Sequence, residues 1–142
     1  MKYYSSGSYS IALHDHAVTD LDDIYDVDED AAADIEAFLE EAKCNQITLD
    51  NLSRNGYIHY GELPFDVKEW ARAKRIKLNL WRVRLLYLEG EAAKYRIIYA
   101  FHPVEFRYYV LGIVNRDFNY DLSHPTTKRI LAAYEDLDIP CY

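Results

Sequence analysis

The stretch LWRVRLLYL (80–88), followed by YRIIYAF (95–101) and FRYYVLGIV (106–114), decides the architecture. Leu80–Leu88 opens with alternation: Trp81, Val83, Leu85 and Tyr87 on one side, Arg82 and Arg84 on the other. A period of two is the mark of a strand with two unlike faces. The next two runs are rich in β-branched and aromatic residues, which suit a pleated surface. His102-Pro103-Val104-Glu105 is just long enough to turn between them. The three runs are therefore expected to form an antiparallel meander.

Working outward, Pro125–Leu137 (PTTKRILAAYEDL) reads as a closing amphipathic helix. Ile130, Ala133, Tyr134 and Leu137 face inward, Ser123 is a candidate cap and proline is favoured in the first turn. Upstream, Tyr9–Leu13 (YSIAL) reads as a first strand. Asp30–Lys43 reads as a helix carrying Ala31, Ile35, Phe38 and Ala42 on one side. A second helical piece is expected at Thr48–Arg54, ended by Asn55-Gly56. Gly56–Pro64 reads as irregular, and a short helix is expected from Phe65 or Asp66 to about Lys74. Helices, then consecutive hairpin strands, then a last helix define an α+β fold: N-terminal helices on a twisted antiparallel sheet, with a C-terminal helix.

The 142 residues correspond to a single domain, 1–142, and half of them are apolar. No run approaches the roughly 18 apolar residues of a membrane span, and the N-terminus lacks the pattern of a secretory signal. Cys44 and Cys141 are far apart and lack metal-ligand spacing, so two reduced cysteines in a cytoplasmic protein are expected. The net charge of −8 argues against simple adhesion to nucleic acid or anionic membrane. The acidity is local: residues 1–43 hold twelve acids against two bases, and the remainder twelve against fourteen. The run DLDDIYDVDED (20–30) is read as a solvated loop leading into a helix N-terminus, where carboxylates complement the macrodipole. Its sharper alternative is an acidic arm that docks on a basic surface of this chain or of a partner.

Arg82 and Arg84, two apart on a strand, point to one face. Arg96 joins them if the hairpin pairs it with Leu86, and lies opposite if it pairs with Tyr87. Arg116 ends the last strand and is followed by Tyr120 and His124. Converging guanidiniums match phosphate oxygens and stabilise charge added in phosphoryl transfer. The plainer alternative is a sheet face whose charges pair with acids such as Glu62 or Glu69. His102 reads as a turn residue, and Trp81, Tyr87, Tyr95 and Tyr99 as packing residues. His14 and His16, beside Asp15, are too few for a metal site, and no metal or other cofactor is expected.

These segments, in this order, resemble the RelE/ParE superfamily of toxins from type II toxin–antitoxin systems. The resemblance covers 80–137, with YRIIY (95–99) and VNRD (114–117) its most recognisable parts, and is weaker upstream. It implies a microbial-ribonuclease-like fold and, for the RelE branch, a metal-independent endoribonuclease cleaving translated mRNA on the ribosome. It also implies a cognate antitoxin as partner. Carried over residue by residue, the substrate-binding basic pair matches Arg82 and Arg84. The catalytic set matches Arg96, Arg116 and Tyr120, with His124 as the nearby acid or base. The chain departs from the pattern in its short Arg116–Tyr120 spacing and its acidic N-terminal portion, 1–43.

The implied reaction is attack of a 2′-hydroxyl on the adjacent phosphorus, leaving a 2′,3′-cyclic phosphate. Tyr120 would take the proton, Arg96 and Arg116 would meet the added charge, and His124 would protonate the leaving 5′-oxygen. Two alternatives belong to other classes: a ParE-like DNA gyrase inhibitor without nuclease activity, and a catalytically inactive, protein-binding relative. In the latter, the acidic segment would cover the basic site in cis.

Overall fold

The computed structural model describes residues 9–70, 78–86, 94–117 and 123–139. Its order is β1 (Ser10–Leu13), α1 (Asp15–Val27), α2 (Glu29–Lys43), α3 (Gln46–Asn51), β2 (Ile58–His59), β3 (Phe65–Glu69), β4 (Leu80–Leu85), β5 (Tyr95–His102), β6 (Arg107–Asn115) and a C-terminal helix, α4 (Pro125–Asp136). One six-stranded sheet runs β1-β6-β5-β4-β3-β2. All neighbours are antiparallel except β1, which lies parallel to β6 with Ser10 opposite Arg107. The α+β class and the β4–β6 meander are as expected, and no described helix is long and apolar enough to cross a membrane.

Besides α3, which lies at Gln46–Asn51 against the expected 48–54, and the two-residue β2 inside a stretch expected to be irregular, two segments differ from expectation. The acidic run is helical, forming α1 and the first turn of α2. Ala17, Leu21 and Ile24 supply α1 with a buried stripe at spacings of four and three, while the acids take the solvent side. Asp28 joins the two helices: its N–H donates to Ile24 O and its carboxylate caps Ala31 N at 3.1 Å. The second correction is 65–69, which forms β3 in place of a helix. Phe65 and Val67 alternate into the core opposite Leu85 and Val83, so pairing with β4 decides this segment; the rest of the expected helix, 71–74, lies outside the described residues.

The sheet has two unlike faces. One packs Phe65, Val67, Trp81, Val83, Leu85, Ile97, Tyr99, Tyr108, Val110 and Ile113 against α1–α3. The other packs Leu80, Ile98, Ala100, Leu111 and Val114 against Ile130, Ala133 and Tyr134 of α4. A bulge reconciles the two along β6: Ile98 pairs with Gly112 but Tyr99 with Val110, so Leu111 is extra. That residue reverses the alternation, turning Val110 and Tyr108 toward α1–α3 and Leu111 toward α4. Gly112 lets α1 and α4 approach closely: a Cβ there would lie 3.3 Å from Arg129 Nη2, Asp20 Oδ2 and Ile130 Cδ1, tight enough to push those side chains aside. At this crossing Asp20 Oδ2 accepts from Ile113 N (3.0 Å) and Arg129 Nη2 (2.7 Å), tying α1, β6 and α4 together.

Candidate functional site

Arg96 pairs with Arg84, two residues from the Leu86 register but with the same parity. Arg82, Arg84 and Arg96 therefore share a face, the one that also carries α4. The row across four strands is Asp66–Arg84–Arg96–Val114, and beside it runs Lys68–Arg82–Ile98–Gly112. The apolar cluster under α4 reaches Leu80 of β4 and Trp70 just past β3, and toward Asp66 and Arg84 the face becomes charged.

Asp66 organises this charged end. Its Oδ1 accepts from Arg82 Nη1 and its Oδ2 from Arg84 Nη2, so one carboxylate holds two guanidiniums. Burial alone would raise the Asp66 pKa. The hydrogen bonds and charges of Arg82 and Arg84 outweigh it and hold the carboxyl below its ordinary value. Side-chain exposure is 8% for Asp66, 14% for Arg82 and 40% for Arg84, so the pair inside is Asp66–Arg82 and the outer member is Arg84. Among the described residues, Arg84 Nε is buried without a hydrogen-bond partner. The expectation of pairing to Glu62 or Glu69 is thus corrected in identity: the acid is Asp66. The alternation of Phe65, Asp66 and Val67 carries its signal, which a helical reading from Phe65 or Asp66 to about Lys74 conceals.

Arg96 is half-buried, and its Nη1 donates to Tyr95 O at 3.1 Å. Arg116 is exposed just past β6, anchored by its own N–H to Lys94 O at 2.5 Å. Tyr120, Tyr87 and Cys141 lie outside the described residues, and Cys44 is exposed. His124, not Ser123, is the N-cap of α4, its Nδ1 accepting from Thr126 N at 3.0 Å. It lines an open depression of about 350 Å³ with Asp20, Ile113, Val114, Asn115, Thr126 and Arg129. Val114 stands opposite Arg96, so this depression adjoins the arginine row. The described contacts do not join His124 or Arg116 to Arg82 or Arg84.

The remaining assignments are structural. Trp81 and Tyr99 are buried, and Tyr95 packs half-buried against the same core. His102 ends β5 rather than sitting in the turn, and its Nδ1 accepts from Glu105 N. His14 caps α1 through Nδ1, and among the described residues no group of three or more His, Cys, Asp or Glu is placed to hold a metal ion. The buried stripes of α1 and α2 pack on the opposite face, and the acidic side chain that reaches the α4 side, Asp20, is held by Arg129. Comparison with known proteins finds no match among family models, curated proteins or solved structures.

Proposed function

We propose that this chain is a toxin of the RelE/ParE kind, acting as a metal-independent endoribonuclease on translated mRNA. The observation that carries the reading is the in-register row Arg84–Arg96–Val114, flanked by Arg82 and leading to the depression that Val114, Asn115 and His124 line. Guanidiniums at Arg84 and Arg96 supply planar donors for a scissile phosphate, and Arg116 adds charge stabilisation at the end of β6. The 2′-oxygen forms its bond to phosphorus as the bond to the 5′-oxygen breaks. Tyr120 accepts the 2′-hydroxyl proton, and His124 delivers a proton to the departing oxygen. A cognate antitoxin covers the arginine face in the resting cell.

A second reading is favoured by the Asp66 contact, which occupies a donor of both Arg82 and Arg84. In it the chain binds protein without cutting RNA, as a gyrase inhibitor or an inactive relative. Induced expression with mapping of mRNA 5′ ends separates the two. The nuclease reading requires growth arrest with cuts confined to translated frames, abolished by Arg116→Ala with the fold intact. Supercoiling arrest with intact mRNA establishes the gyrase reading. Intact mRNA with normal supercoiling leaves the inactive, protein-binding form.

A further inference from the structure

We propose that Asp66 is an internal stand-in for phosphate: a carboxylate that latches Arg84 and yields it to an RNA phosphodiester, while Arg82 stays in place. The inference rests on reading this face as a phosphate site and assigns a role to a residue outside that catalytic set.

Three observations carry it. Two guanidiniums from alternate positions of β4 converge on the two oxygens of one carboxylate, the recognition that Arg gives to either carboxylate or phosphate. The two contacts are unequal, because Arg82 is nearly covered and Arg84 is 40% exposed, so Arg84 is the one able to leave. Its departure does not strand a buried charge, since Asp66 keeps Arg82. Finally, the latched state leaves Arg84 Nε buried without a partner among the described residues. An unmet donor of that kind carries a desolvation penalty, and outward rotation toward water or a phosphate oxygen relieves it. Arg84 also faces Arg96 directly across β4–β5, so it moves between an anion on β3 and a position beside a second guanidinium. An arriving phosphate replaces the compensation that Asp66 provides. The exchange breaks no covalent bond and trades one charge-assisted hydrogen bond for another.

The test is binding of a labelled twelve-nucleotide single-stranded RNA by the full chain, across a salt series, for wild type, Asp66→Asn, Arg84→Gln and the double variant. Freeing Arg84 should tighten binding about tenfold in Asp66→Asn, the scale of one hydrogen bond to a charged group. It should also steepen the log–log salt slope by about 0.7, the value for one added phosphate contact on a single strand. The gain must vanish in the Arg84→Gln background. A gain that persists there is general electrostatics and overturns the latch, as does Asp66→Asn binding equal to or weaker than wild type. If neither wild type nor Asp66→Asn binds, the phosphate reading of the face falls and the latch with it. Binding by Asp66→Asn alone supports the latch. A second measurement needs no variant to fold: in wild type, RNA should move the Arg84 Nε–Hε resonance and leave that of Arg82 in place. An unmoved Arg84 signal in an RNA-bound sample overturns the proposal.

Discussion

The two faces of the sheet solve opposite problems with the same strands. Toward α1–α3 the surface is apolar across β3 to β6, and its deepest polar atoms are the hydroxyls of Tyr99 and Tyr108. Both are satisfied locally, Tyr99 donating to Leu52 O at 2.6 Å and Tyr108 to Leu49 O. Toward α4 the apolar area spans only part of the sheet, and the rest carries Asp66, Lys68, Arg82, Arg84 and Arg96. Burying charge is tolerable only with a partner, and Asp66–Arg82 supplies one. The contrast teaches a division of labour: one face carries most of the stability, and the other is left free to hold groups that stability alone would not select.

The sharpest way to break that division is to weaken the first face. Phe38, buried and 5.0 Å edge-to-face from Phe65, anchors α2 on β3. Phe38→Ala should lower stability by about 3–5 kcal/mol, read from urea denaturation, the ordinary cost of truncating a buried ring. The corresponding deletion on the second face, Asp66→Ala, should cost less, about 2 kcal/mol, because Arg84 regains solvent and only Arg82 is left poorly paired. An equal or greater loss would show the charged end to be as structural as the apolar one. The sign with pH follows from the depressed Asp66 pKa. Its contribution is complete above the unfolded carboxyl value, near 4, and disappears as pH falls through the lower folded value. Urea midpoints between pH 2 and 6 should therefore depend less on pH in Asp66→Ala than in wild type.

The tyrosines test the same comparison at the alkaline end. Burial pushes Tyr99 and Tyr108 well above the ordinary phenol range. A raised folded pKa contributes stability that is complete below the unfolded value, near 10, and is lost as pH rises through the folded value. Base-induced unfolding should thus coincide with phenolate absorbance near 295 nm. Tyr99→Phe should cost about 1–2 kcal/mol at pH 7, since Leu52 O loses its donor inside the core, and should soften that alkaline transition. Ionisation of these hydroxyls without unfolding would contradict the packing described here.

How far residues alone lead is itself uneven between the faces. The strands β4–β6 and the inward side of α4 are readable because period and composition agree, as in Trp81/Val83/Leu85 and Ile130/Ala133/Tyr134. The acidic helix α1 is not, since its three apolar anchors are diluted among carboxylates that suggest a solvated loop. The shared face of Arg82 and Arg84 follows from their spacing, yet Arg96 joins them only through a register set by long-range pairing. Asp66 is obscured for the same reason: its strand is defined by pairing with β4, which puts Arg84, eighteen residues further along the chain, opposite it. Local patterns thus report elements, while the charged site exists only once strands are aligned.

The smallest expected effect separates two roles at one residue. His124 caps α4 through Nδ1 and is also the proposed proton donor. His124→Ala should lower stability by about 1 kcal/mol, the usual cost of losing an N-cap, while His124→Asp should restore it because a carboxylate caps as well. Thermal denaturation reads the cap, and 5′-end mapping reads the chemistry. If His124 donates the proton, both variants lose cleavage although Asp regains stability. If His124→Asp recovers cleavage together with stability, the histidine serves only to start the helix, and the proton for the leaving oxygen comes from another group or from water.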